Sequence, residues 1–165
     1  MKVLNQKLRM AIENEGRHAR IEGCWWQFSL TERSSEEPSA VSLLRIARDR
    51  DGALEVSGRS WQADGRLSAT YRSDAVREKK EPPSVFYYRK GERPLDTNAP
   101  QLQGTAEVRL ESADRAAGFL TTRSETDPGL NARTVGVYLR ADPGDMSILD
   151  GPDNRQRAKL ISRIG

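Results

Sequence analysis

The stretch DGALEVSGRSWQADGRLSATYRS, residues 51–73, decides how the rest of the chain is read. Leu54 and Val56 alternate with Glu55 and Ser57, and Leu67, Ala69 and Tyr71 alternate with Ser68 and Thr70. A period of two is the mark of a strand with one dry face and one wet face. Asp51-Gly52 precedes the first run and Asp64-Gly65 separates it from the second. Asp-Gly suits a tight hairpin because the central residues need positive φ, which glycine adopts freely. The stretch therefore predicts strands over Ala53–Ser60 and Arg66–Ser73, with Val41–Arg48 in front, each antiparallel to the next.

Working outward, the same chemistry recurs at regular spacing, which is an all-β pattern. Further strands are expected over Ile21–Thr31, Ser84–Lys90, Gln103–Glu111, Ala116–Arg123 and Thr134–Arg140. Dry positions are Leu54 and Val56, then Leu67, Ala69 and Tyr71, then Val85 and Tyr87, then Ala106, Val108 and Leu110, then Val135, Val137 and Leu139. A sheet that is wet on one face and dry on the other loses its exposed edges by closing on itself. The expectation is a mainly β, eight-stranded antiparallel up-and-down β-barrel spanning residues 21–141; a two-sheet sandwich is the alternative. Residues 32–39, 74–83, 91–102 and 124–133 read as polar loops, the last a plain solvent loop or a lid over the barrel mouth.

The flanks carry helical periodicity. Residues 1–20 form an N-terminal segment in which Val3, Leu4, Leu8, Ala11 and Ile12 share one side of a helix over 1–16. That face can cover the barrel, pair with another copy, or touch a membrane surface. Residues 142–165 read as a turn at Ala141–Asp145 and a short helix over Asn154–Ile164, docked by Leu160, Ile161 and Ile164. At 165 residues the chain is one domain with enough length to bury a core. Its single cysteine, Cys24, cannot form an internal disulfide, and it has no apolar run of bilayer length and no apolar leader. A cytoplasmic location is the resulting expectation. The net charge of +3 is spread among interleaved acids and bases, so general nucleic-acid binding is not expected.

Gly23-Cys24-Trp25, followed by Trp26 and Phe28 and placed before the run of strands, resembles the G-x-W element that opens calycins, the lipocalin-like barrels. The resemblance implies that Trp25 plugs one end of the barrel and that Arg140, on the last strand, stacks over it, both as structural residues. A second resemblance covers residues 21–141. It rests on the tryptophan-bearing first strand, the G-x-L-x-V-x-G pattern at Gly52–Gly58, Trp61, Asp64-Gly65 and the aromatic strand Phe86-Tyr87-Tyr88. These features are similar to the cytoplasmic cyclic-nucleotide-sensing barrel of bacterial antiphage (CBASS-type) effectors, which carry two transmembrane helices ahead of it. This sequence holds no such helices, so what the resemblance implies is the sensing half alone.

A nucleotide needs an aromatic face for its base and positive donors for its phosphate. Among residues read as inward-facing, Trp26, Tyr71 and Tyr87 supply the first and Arg89 the second, with Ser60 and Thr122 as neutral hydrogen-bonding groups; the competing reading is that the aromatics fill the core and Arg89 reaches to the rim. No phosphate loop, metal-ligand cluster or nucleophile elbow is present, and the one histidine, His18, precedes the first strand. An enzyme, a bound metal and a cofactor are not expected. The leading expectation is a barrel that binds a small anionic ligand. The alternatives are a filled barrel contacting a homo-oligomer or protein partner through residues 1–16, and a carrier of an apolar small molecule.

Overall fold

The fold is described from a computed structural model, which describes residues 20–30, 41–96, 98, 101–123 and 132–165. The expected N-terminal helix, His18 and most of the 124–133 loop lie outside these residues. Eight strands follow in order: β1 Gly23–Leu30, β2 Val41–Arg48, β3 Leu54–Trp61, β4 Leu67–Lys80, β5 Pro83–Glu92, β6 Leu102–Leu110, β7 Arg115–Thr122 and β8 Ala132–Arg140. Each pairs antiparallel with the next, and β8 returns to pair with β1, closing an eight-stranded barrel. Among the described residues two helices follow β8, α1 Pro143–Asp150 and α2 Asn154–Ile164.

The hairpin reading of residues 51–73 matches the pairing of β2 with β3 and β3 with β4, with Gly52 and Gly65 both at positive φ. Two expectations about boundaries are corrected. Residues 74–83 are not a loop: β4 runs on to Lys80 and turns tightly into β5, with pairing continuous to Lys80↔Pro83. Their polarity reflects a long exposed hairpin, bulged at Asp74, rather than a break in the sheet. Residues 141–145 are likewise more than a turn. Pro143 starts a helix that Asp142 caps by accepting from Gly144 N–H, since proline suits a first helical position.

Two apolar clusters lie on opposite sides of the barrel wall. Inside are Trp25, Leu44, Ile46, Leu54, Val56, Val85, Tyr87, Ala106, Val108, Leu110, Ala116, Leu120 and Tyr138. Outside, α1 and α2 press Leu149, Leu160 and Ile161 onto Trp26, Val41, Leu43 and Trp61. Each such side chain taken fully out of water contributes about 1.5–3 kcal/mol. Three parity readings change as a result. Trp26 points outward beneath the helices, because its neighbour Trp25 points in. Leu67 joins the outer cluster, because a register shift after Ser60 sets it opposite Trp61. On β8 the inward residue is Tyr138, and Val135 and Leu139 stand on the outer surface, 55% and 42% exposed.

One end of the barrel is closed by a single stack. Trp25 is fully buried, its indole N–H donating to Ile21 O at 2.9 Å. The Arg140 guanidinium lies 4.0 Å from the Trp25 ring and donates to the carbonyls of Ala113, Glu22 and Arg20. Gly23, at φ +135°, leaves the room this needs, since a Cβ there would stand 2.5 Å from Arg140 Nη1. The glycine of the G-x-W element is thus required by the arginine that covers the tryptophan. Arg140→Ala should lower unfolding free energy by about 2–3 kcal/mol, from a lost cation–π contact and lost charge-assisted hydrogen bonds. Gly23→Ala should cost about 2 kcal/mol through backbone strain and displacement of the guanidinium. Because both break one contact, urea denaturation of the double variant should show much less than the summed loss; strict additivity would separate the two residues.

Candidate functional site

The lumen is divided along its axis. Toward the end closed by Trp25 and Arg140 it is filled by aliphatic side chains of β2, β3, β5 and β6. Toward the end where β1, β3, β5 and β7 finish, the inward positions turn polar, and a cavity of about 10 Å³ is bordered there by Gln27, Ser42, Gly58, Tyr71, Tyr87 and Arg89. That volume holds about one water molecule.

Arg89 is the charged group of this half. Its guanidinium stacks on the Tyr71 ring at 4.9 Å, and Nη2 donates to Thr122 Oγ1 at 3.2 Å. Among the described residues it forms no ion pair with a carboxylate, unlike Arg48, Arg59, Arg66, Arg115 and Arg163, each of which does. Ser42 and Ser60 sit opposite each other on β2 and β3 with their hydroxyls 2.7 Å apart. Room at this level comes from small residues: Gly91 lies against the Tyr71 ring, where a Cβ would stand 2.6 Å from Cδ1, and the Tyr138 hydroxyl lies over Gly136.

The Tyr138 hydroxyl is fully buried and has no hydrogen-bond partner among the described residues. A buried donor without an acceptor is uncommon and costly, about 1–3 kcal/mol. Burial lifts its phenol well above the ordinary tyrosine range, with the positive charge of Arg89 pulling the other way. Tyr87 is raised further by burial and by the Tyr138 phenol, again opposed by Arg89. Both remain neutral hydrogen-bond donors at physiological pH.

Of the six residues proposed from sequence, Tyr71, Tyr87 and Arg89 meet at the cavity, and Thr122 joins them through Arg89. Ser60 is buried one step away, bonded to Ser42. Trp26 does not belong to the group; it packs under the helices, where its indole N–H has no partner among the described residues. Gln27, Ser42 and Tyr138 were not anticipated. Tyr138 was within reach of the sequence, because an Arg140 that covers an inward Trp25 obliges the residue two before it to face inward as well.

Elsewhere, a groove of about 400 Å³ opens where β3 and β4 part, bordered by Arg48, Glu55, Ser73, Asp74 and Glu78. Pairing between these strands ends at Ser57↔Arg72, and Val56 N–H turns to the Ser73 hydroxyl instead. Cys24 packs at the edge of the outer cluster, and burial pushes its thiol up, away from the reactive thiolate. Among the described residues no group of three or more His, Cys, Asp or Glu is placed to hold a metal ion, and no helix is long and apolar enough to cross a membrane. Comparison with protein-family models, with curated proteins and with solved structures returns no match.

The two buried phenols carry a pH signature. Below tyrosine's ordinary value of about 10 both folded and unfolded chains keep these protons. Above it the unfolded chain releases them while the fold retains them, so stability is intact below about pH 10 and falls as the pH climbs beyond it. In an alkaline titration followed by phenolate absorbance, the signal from Tyr87 and Tyr138 should appear only together with unfolding. Tyr87→Phe with Tyr138→Phe should delete that late phase; its survival would show that these phenols are not the ones buried.

Proposed function

We propose that this barrel is a binding module that takes the acidic group of a small molecule at Arg89. The observation that carries the reading is a lumen-facing guanidinium with an aromatic platform and a hydroxyl beside it but no carboxylate among its described neighbours. A positive charge held inside a barrel is stabilised by an opposite charge, and an anion supplies it. Gln27, Ser42 and Tyr87 add neutral polar groups around the same space.

Volume limits how such a ligand sits. Binding pockets for small molecules usually run to about 300 Å³ or more, whereas the cavity at Arg89 is about 10 Å³. A single carboxylate or phosphate oxygen is matched to that space, with the remainder of the ligand toward the polar end. The resemblance to antiphage sensing barrels makes a cyclic nucleotide in bacterial defence signalling, inside the cytoplasm, the specific version of this proposal. A second reading is favoured by the same small volume: a filled barrel that works as a protein-interaction domain. The polar lining counts against a carrier of apolar molecules.

Calorimetric titration separates the two readings. Cyclic mononucleotides, cyclic dinucleotides, inorganic phosphate and acetate are the probes, with the neutral nucleosides as controls. On the binding reading at least one anion saturates a single site, nucleosides do not, and Arg89→Ala weakens binding about 10–100-fold, the worth of a charge-assisted hydrogen bond. Silence from every anion, or an affinity unmoved by Arg89→Ala, would leave the filled-barrel reading standing.

A further inference from the structure

The wall of the barrel is split between β3 and β4. Past Ser57↔Arg72 the two strands diverge: Leu54 and Glu55 pair with β2 alone, and Ala75 to Lys80 pair with β5 alone. Val56 N–H points across to the β4 side, where it finds the Ser73 hydroxyl. Backbone groups alternate sides along a strand in an antiparallel ladder, so the N–H and C=O of Leu54 face the split as well. Opposite them runs the free edge of β4. Among the described residues no strand fills the space between, and unpaired edges of this kind are templates for a further strand.

The split is also a groove with a dry floor and a charged rim. Its volume, about 400 Å³, is that of a ligand-sized cleft. Leu54 and Val76 form the floor, both continuous with the core inside the barrel. On the rim stand three carboxylates, Glu55, Asp74 and Glu78, against one guanidinium, Arg48. Arg48 is taken up by Glu22 and Glu78, and Asp74 by Lys90. Glu55 is exposed and forms no ion pair among the described residues.

We propose that this groove takes a short extended peptide of a partner protein, laid in as an added strand, with an apolar side chain turned in on Leu54 and Val76 and a basic one turned out to Glu55. Each requirement has its own source. The unpaired edges call for a peptide backbone, which a compact organic cation lacks. Strand alternation then sends successive side chains to floor and rim in turn, apolar and basic. The excess of carboxylates disfavours an acidic strand, since like charges facing each other on neighbouring strands destabilise the pairing. The groove is separate from the lumen at Arg89, with which it shares no bordering residue.

Short capped peptides that alternate lysine with valine test this against the full chain. The controls are the same peptide with glutamate for lysine, and the same peptide methylated on its backbone nitrogens. In amide NMR spectra the lysine peptide should saturate a single site, shift the amides of Leu54 and of residues 75–78, and slow their exchange with solvent. Both controls should bind at least about tenfold more weakly, the worth of one or two lost hydrogen bonds or of a like-charge contact. Glu55→Lys with Asp74→Lys, both at exposed positions, should reverse the preference between the lysine and glutamate peptides while the spectrum reports an intact fold. Arg89→Ala should leave that preference as it was. No binding by the lysine peptide, binding unmoved by backbone methylation, or a preference unmoved by the two charge reversals would each overturn the proposal.

Discussion

Arg140 lying on Trp25 ties the last strand to the first, and the inside of the barrel is ordered by that contact. A cation on an indole face gains its attraction most fully where water is excluded, and here the ring is wholly buried. The guanidinium also gathers three carbonyls, two from the segment ahead of β1 and one from the β6–β7 turn, so the charge is hydrogen-bonded as well as stacked. Once Trp25 is fixed inward, strand alternation sets the rest of β1: Gln27 lines the lumen, while Trp26 and Phe28 are left to the helices. The same alternation on β8 brings Tyr138 inside and turns Val135 and Leu139 out.

The polar half of the lumen follows from this arrangement. Apolar packing is complete near the plug, so stability is secured there and the far half is free to hold groups that weaken a core. Arg89 is tolerable in that position because Tyr71 and Thr122 share its surroundings and because the wall ends nearby. Tyr138 is less well served: its hydroxyl is held in a fully buried position with nothing among the described residues to accept its proton. Ordinary cores avoid both features, and here they occur together inside one barrel.

Much of the architecture was legible in the sequence. Asp51-Gly52 and Asp64-Gly65 located two hairpins, and the alternation of Leu54 with Val56 and of Ala106 with Val108 set the inner face of β3 and β6 correctly. Legibility failed where polarity stood in for structure. Lys79, Lys80 and Glu81 read as a loop although they belong to an exposed hairpin, and Ala141 to Asp145 read as a turn although Asp142 and Pro143 open a helix. It failed again where both faces of a strand are apolar. On β1 the outer residues are as hydrophobic as the inner ones because helices cover them, and on β8 apolar Val135 and Leu139 face outward though exposed, so a dry-face rule then has two answers. Reading Trp26 and Trp25 as both inward was inconsistent from the start, since adjacent residues of a strand face opposite ways. For the site, the residue types were enough to bring out Tyr71, Tyr87 and Arg89, whereas Gln27 and Ser42 needed the register.

The closing pair of the sheet also governs how the chain finds its shape. Trp25 and Arg140 are neighbours across the β1–β8 ladder although most of the sequence lies between them. Hairpins such as β2–β3 form from local contacts, but the final seam rewards the chain only after a loop of more than a hundred residues has been gathered, and topologies of this kind reach the native state slowly, in milliseconds to seconds. Until that seam forms, β1 and β8 each present an unpaired backbone edge and the indole of Trp25 has no cover. The interval before closure is therefore when this chain is most exposed to pairing with the wrong partner, and Arg140 is the latch whose engagement ends it.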